Sequence, residues 1–536
     1  MRRIVGRIGV TCGAVVVAGG LVAGGYTTSS SSASTASISG GQGGAQGWTL
    51  PQANLQSTRD VVSPIDSSNV SQLGVAWTVP ITASTSVGGY ATTPVVVDGV
   101  VYVEDLDSNV QAIQLSTGTV LWTHDYNSPN AGPDGVNVDN GTVYATTASA
   151  VVALNAATGA QLWSQTLISN DTEGIDMAPG YYNGTVYAST APSNLTNPNP
   201  PGDAGILWAL NARTGAEEWS WNETGNDNLW GNPAVNSGGG MWNPPSFDSQ
   251  GNIYVGIANP APPGGAPGYP WGTSRPGPDL YTDSVVKLSP QGRVLWYYQL
   301  TPHDLYDHDM ENSPILTFAN GQPVVIDGGK AGIVIELNAQ TGQLLWKTPV
   351  GVHNGHDNDG LLTEFLSPTS PMPLPSTVTV EPGDVGGIET PMGSNGSTTF
   401  AAVTDLAVTY GSESGADDTN EGAELFAANG EMVAVNQNTG NITWDDTLPS
   451  VPFGGASITN DVVFTTTLDG YLYALDAFTG AILFKTPLSA GTNAPVTIDD
   501  GYVIAGAGDP FSSTQQPLII AYKLGGTGTL PDTVGP

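Results

Sequence analysis

The residues of this chain best suited to chemistry sit close together in sequence. Thr301-Pro302-His303-Asp304 runs on to Asp307-His308-Asp309, which sets two carboxylates two positions apart. Lys330 follows in Gly329-Lys330-Ala331-Gly332. Upstream stand Trp242, closing Gly238-Gly-Gly-Met-Trp242, and Asn259, opening Asn259-Pro260-Ala261-Pro262. A carboxylate can take the proton of a hydroxyl. Carboxylates and an amide oxygen together suit a hard cation, and an ammonium stabilises negative charge developing on a nearby oxygen. Each residue also has a plainer use. Asp307 and Asp309 suit a turn in which backbone N–H groups satisfy them. Lys330 suits a salt bridge, Trp242 a packed wall, and Asn259 an ordinary loop position before proline. His303 and His308 read as structural or exposed rather than catalytic.

The elements that must position these residues come from an internal repeat. A short apolar strand leads into Asn or Asp, then Thr-Gly, then an aromatic four residues after the glycine. The phrase occurs at Gly118–Trp122, Gly159–Trp163, Gly215–Trp219, Gly342–Trp346, Gly440–Trp444 and Gly480–Phe484, with Gly292–Trp296 as a variant. Trp77 closes a related phrase that lacks the Thr-Gly. Thr-Gly after Asn or Asp makes a tight hairpin turn in which glycine supplies the positive φ. The aromatic on the following outer strand is placed to wedge against a neighbouring repeat. Each interval between aromatics has room for four strands. The spacing therefore predicts an all-β, eight-bladed β-propeller of four-stranded antiparallel blades. Seven blades are internal, and the N-terminal strand carrying Trp77 completes the last one, whose other strands follow Phe484. The Trp219–Trp296 and Trp346–Trp444 intervals are much longer, and their excess reads as surface loops.

The chain has 536 residues, of which 39% are hydrophobic, enough for a large core. It carries 12 basic against 48 acidic residues, a net charge of −36, which excludes nucleic acid and anionic membrane surfaces as partners. Arg2, Arg3 and Arg7 precede an uncharged stretch from Ile8 to Gly25. Residues 1–25 thus read as an export signal or an uncleaved anchor, giving a secreted or cell-surface protein. A Ser/Thr/Gly-rich linker over 26–47, a propeller over 48–525 and a flexible tail over 526–536 complete the organisation. Cys12 is the only cysteine, so no Cys-x-x-Cys-His haem attachment is present.

The repeat, together with Thr301-Pro302-His303-Asp304, Arg275-Pro276-Gly277 and the Trp242, Asn259 and Lys330 phrases in that order, resembles the pyrroloquinoline-quinone (PQQ) alcohol dehydrogenase family over about residues 48–524. The resemblance implies PQQ as cofactor, with Trp242 stacking on its ring and Lys330 bonding its reactive oxygen. It implies Asp307 as the general base and Asn259 and Asp307 as ligands of a calcium or lanthanide ion. Asp309, two residues after the base, marks the lanthanide-using branch and is implied as a further metal ligand. A small alcohol or sugar-like substrate and a separate electron acceptor follow.

The chain departs from the family in its first three blades. The blade 3 glutamate ligand is absent from Ser189-Thr190-Ala191-Pro192. Ala131-Gly132-Pro133-Asp134 replaces the vicinal cysteine pair, the arginine that follows that pair has no counterpart, and Ala91 stands in place of a glutamate. Three residues before the proline that opens several blades, Ala91, Asp176, Trp242, Glu311 and Thr492 are expected to point into the central funnel. Asp176 is then either a replacement metal ligand or a hydrogen-bonded carboxylate. Two functions remain open on this reading. One is an exported quinoprotein dehydrogenase; the other is a non-catalytic propeller that binds or scaffolds at the cell surface.

Overall fold

Each repeat folds into one antiparallel sheet of four strands. The first sheet runs Val95–Val97, Val100–Glu104, Val110–Gln114 and Val120–His124 in spatial order. Six sheets of the same design follow, with innermost strands beginning at Asn137, Gly180, Ser246, Ile315, Gly393 and Ser457. The eighth sheet contains Thr497–Asp499, Tyr502–Ala507 and Leu518–Leu524, and Leu73–Pro80 is its outer strand, with Trp77 opposite Ala521. The chain is thus an eight-bladed propeller stitched through Trp77, as the spacing predicts. A second stitch was not anticipated: Asp60–Val61 pairs in parallel with Ser457–Thr459 in blade 7. The structure is a computed structural model and describes residues 47–170, 172–197, 199–356, 375–416, 421–510 and 514–531. The export segment, nearly all of the linker and the end of the tail lie outside the described residues.

Burial follows from position in the blade. Middle strands such as Thr142–Thr147 and Ala150–Asn155 are packed on both faces and are buried almost throughout, whereas the outer strand Gln161–Thr166 alternates. The repeat phrase is a lock between blades. The indole N–H groups of Trp77, Trp122, Trp163, Trp219, Trp296, Trp346 and Trp444 each donate to a carbonyl at the turn of the next blade, at 2.7–3.2 Å. The turn glycine lies on the indole face. At Gly159 (φ +69°) a Cβ would come within 2.6 Å of the Trp122 ring. Positive φ and this close approach both select glycine. A bulge before the aromatic, as between Gln161 and Trp163, turns the ring toward the neighbour.

The long intervals are more than surface loops. The first carries a two-stranded ribbon, Ser237–Gly238 with Pro260–Ala261; the second carries a sheet of Thr377–Val380, Val408–Gly411 and Gly415–Ala416. They pack on each other through Trp271, whose N–H donates to the Ser412 carbonyl. Trp271, Leu305, Tyr306, Val408, Tyr410 and Phe453 form a buried apolar cluster there. Hydrophobic residues within a long insertion explain the difference, because they give the insertion a core of its own.

Candidate functional site

The loop Thr301–Pro314 leaves the outer strand of blade 4 (Val294–Gln299) and enters blade 5 at Ile315–Ala319. Asp304 shapes it, accepting from the Tyr306 and His308 backbone N–H groups at 3.0 Å each. Tyr410 donates to the Tyr306 carbonyl at 2.7 Å. His308 Nε2 lies 3.0 Å from the Pro382 carbonyl, which only accepts, so that nitrogen carries the proton. His303 contacts the Gly277 carbonyl, and Arg275 pairs with Asp279 at 2.8 Å. Both histidines are buried within this loop. Asp307 is held at φ +61°, a conformation that non-glycine residues adopt sparingly and that functional sites retain.

Lys330 ends the second strand of blade 5 (Gln322–Gly329) and meets this loop. Its backbone N–H donates to the Asp309 carbonyl at 3.0 Å. Gly329 must be glycine, since a Cβ there would overlap that carbonyl. The Lys330 ammonium lies 3.0 Å from Asp307 Oδ2 and 2.6 Å from Asp309 Oδ2. The other Asp309 oxygen accepts the Asn259 backbone N–H at 2.5 Å. The Asn259 side chain donates to the Pro260 carbonyl at 3.2 Å. The side chains of Lys330 and Asp309 are 9% and 1% exposed, whereas that of Asp307 is 23% exposed. Burial opposes the Lys330 charge, but Asp307, Asp309, Glu389 and Glu311 outweigh it and hold its pKa well above the ordinary value. Burial pushes Asp309 up to about 6, with Lys330 working against the rise.

Lys330 also lines a cavity of about 300 Å³ at the start of the blades. Successive blades contribute Ala91, Asp134, Ala178, Trp242, Glu311, Glu389, Phe453 and Asn493, which places the cavity on the propeller axis. Trp242, Glu311 and Lys330 thus share one pocket, and Asp307, Asp309 and the Asn259 backbone join it through Lys330. Asp176 does not. Blade 3 reaches the cavity with Ala178, and Asp176 is buried behind it, with its carbonyl accepting the Asp134 N–H at 3.1 Å. Blade 8 contributes Asn493, while Thr492 turns away to the Gly506 carbonyl. Glu389 is a functional candidate that the offset rule misses. It stands two residues before Pro391, and the residue three before is the buried core side chain Ile388.

The cavity wall is acidic. Glu311 Oε2, Glu389 Oε2 and Asp134 Oδ2 are buried without a hydrogen-bond partner among the described residues. Burial pushes Glu389 up to about 8, and raises Glu311 and Asp134 well above the usual carboxylate range. Glu104, with Gly135 N–H donating to it at 3.2 Å, is raised by burial and by Asp134.

The sequence profile of the glucose/ethanol/alcohol dehydrogenase beta-propeller domain matches residues 48–146 and 169–391, more than half of the chain. The chain belongs to this family of PQQ-dependent alcohol dehydrogenase propellers. The profile of the outer membrane protein assembly factor BamB matches residues 428–516. Among curated relatives, the quinohemoprotein alcohol dehydrogenase of Comamonas testosteroni is 29% identical over 55% of this chain but only 46% of its own length. Quinohemoprotein alcohol dehydrogenase ADH-IIG of Pseudomonas putida is 26% identical over 88% of this chain and 76% of its own. A europium-containing methanol dehydrogenase superimposes with a TM-score of 0.71 at 20% identity, covering 91% of this chain and 99% of that one, which supports the fold.

Membership of this family raises the question of PQQ and a metal ion. The cavity volume is at the small end for a ligand site, and its lining includes Trp242, Lys330 and three acidic residues, Asp134, Glu311 and Glu389. With those carboxyls raised, the wall offers acid O–H donors to an anionic ring system rather than a ring of negative charge. With Trp242 and Lys330 beside carboxyl groups whose charge burial disfavours, the residues fit PQQ. They do not fit a resident metal. Both oxygens of Asp309 are taken by Asn259 N–H and Lys330, and the blade 3 stretch around buried Ala191 carries no glutamate. The nearest glutamate to it, Glu223, is turned to Ser189 and the Gly240 N–H at 2.7 and 2.5 Å. Among the described residues, no group of three or more His, Cys, Asp or Glu is arranged to hold an ion.

Proposed function

We propose that this propeller is an exported dehydrogenase that oxidises the hydroxyl of a small alcohol or sugar-like molecule with PQQ and hands the electrons to a separate acceptor. One observation carries the reading: Lys330, on the wall of an axial cavity shared with Trp242, holds Asp307 at 3.0 Å. PQQ, when bound, supplies an electrophilic two-electron acceptor. Trp242 would offer the stacking face, Lys330 a charged donor, and Glu311, Glu389 and Asp134 neutral donors to carboxylates. Asp307, the partly exposed member of the pair, takes the substrate hydroxyl proton, and the carbon that bore it becomes a carbonyl. Lys330 keeps the carboxylate oriented, and Asp304 sets the loop from which it projects. Among the described residues no helix is long and apolar enough to cross a membrane.

Titrating the purified chain with PQQ tests this reading. The expected result is a quinone absorbance change saturating at one equivalent, with dye reduction that depends on added short alcohols. No spectral change at any ratio would sink it. That outcome would favour the second reading, a non-catalytic binding propeller, to which the assembly-factor match over residues 428–516 lends support.

A further inference from the structure

We propose that Lys330 takes the place of a metal ion in this site, so that the chain binds its cofactor without a resident cation. This deepens the dehydrogenase reading and concerns the same pocket. The donor geometry carries it. A cation bound here would need the facing oxygens of Asp307 and Asp309, and the Lys330 ammonium already lies 3.0 and 2.6 Å from them. The ammonium is held by its backbone as well, because Lys330 N–H is bonded to the Asp309 carbonyl and Gly329 lets the strand end touch the loop. The remaining Asp309 oxygen is bound to Asn259 N–H, which fixes the carboxylate plane on the lysine. Among the described residues no group of three or more His, Cys, Asp or Glu is arranged to hold an ion, Glu311 and Glu389 included. Ala191 presents only a methyl group, packed toward Gly240, and Glu223 is bonded behind it. Asp176 belongs to a different group, with Asp134.

A single positive charge on three N–H donors does part of what a divalent ion does. It neutralises one of the two carboxylates and leaves one negative charge, which suits a base. A metal and the ammonium cannot share the space, since two cations at that separation repel strongly in a buried site.

The test uses the full chain after chelator treatment, with terbium as probe. Trp242 lies on the same cavity and sensitises its luminescence. Wild-type protein is expected to show only weak, non-saturating terbium binding from its many surface carboxylates. Lys330→Met opens the space, and is expected to gain one saturable site at least about tenfold tighter. Adding Asp309→Asn to that variant should remove the site again. Circular dichroism establishes that each variant is folded. Stoichiometric terbium or calcium binding by the wild type that Asp309→Asn abolishes would overturn the proposal. So would a folded Lys330→Met chain that gains no site, since the lysine would then occupy no cation position. PQQ titration in excess chelator separates this idea from the functional reading. Binding that needs added metal overturns the lysine substitution alone. Absence of binding with or without metal overturns the dehydrogenase reading, while the terbium result still decides the present one.

Discussion

Two walls of the axial region are built from buried carboxyl groups, and they keep their charge low by different means. On the blade 4 and 5 side, Asp307 and Asp309 face Lys330. On the blade 1 to 3 side, Glu104, Asp134 and Asp176 are as buried as Asp309 and more so than Asp307, and no ion pair reaches them among the described residues. With the lysine, burial lifts Asp309 only to about 6. Without it, Asp176 reaches about 7, and Glu104 and Asp134 go well above the usual range. Burial is the leading cause in both places. An internal cation therefore holds the acid it touches below where burial alone would set it.

Removing the lysine should break this comparison most severely. Lys330→Met leaves two acids unpaired, and we expect a stability loss of about 3–5 kcal/mol at pH 7.5, measured by urea unfolding. At pH 5, below the Asp309 value of about 6, that carboxyl is protonated and the loss should shrink. An equal loss at both pH values would mean that charge is not the cause. Asp307→Asn keeps the shape and removes the base. Turnover should fall by about 10²–10⁴-fold while PQQ still binds; turnover within threefold of wild type would clear Asp307 of the role.

The lysine-free wall offers a gentler test. Its acids have folded values above their unfolded ones, so the folded chain holds more protons. Stability should therefore be greatest in acid and fall as pH rises from the ordinary Asp value of about 4 to the Asp176 value of about 7 and beyond. Asp134→Asn with Asp176→Asn should flatten that profile and raise stability at pH 8 by about 1–3 kcal/mol. A wild-type profile that is already flat between pH 4.5 and 8 would contradict the assignment. The smallest effect is expected at Glu389. PQQ affinity should weaken by several-fold as pH passes about 8 and Glu389 ionises, and Glu389→Gln should remove most of that dependence. Equal pH profiles for the two proteins would show that Glu389 does not face the cofactor.

Much of the fold is legible from residue spacing because its rule is local. A glycine at positive φ and an aromatic four residues later fall on one hairpin, and the hairpin repeats. The Lys330–Asp307 pairing is legible only through the family's motifs, since nothing in the spacing of 307 and 330 says that a loop and a strand end meet. Glu389 and Asp176 are where reading fails. Both lie on extended segments, along which successive side chains point in opposite directions. A shift of one residue relative to the proline exchanges a cavity residue for a buried one. Ile388 and Glu389 show this in blade 6, and Asp176 and Ala178 show that even an unshifted face can lie too deep in blade 3.

The sequence by itself determined the blades, their number and the stitch at Trp77, because each depends on contacts between a hairpin and its immediate neighbour. Which acids share a pocket was decided only by the tertiary structure. Eight chain segments converge on one axis from distant positions in sequence. Whether a carboxylate there meets Lys330 or another carboxylate depends on how far each segment reaches inward, and no local pattern encodes that depth.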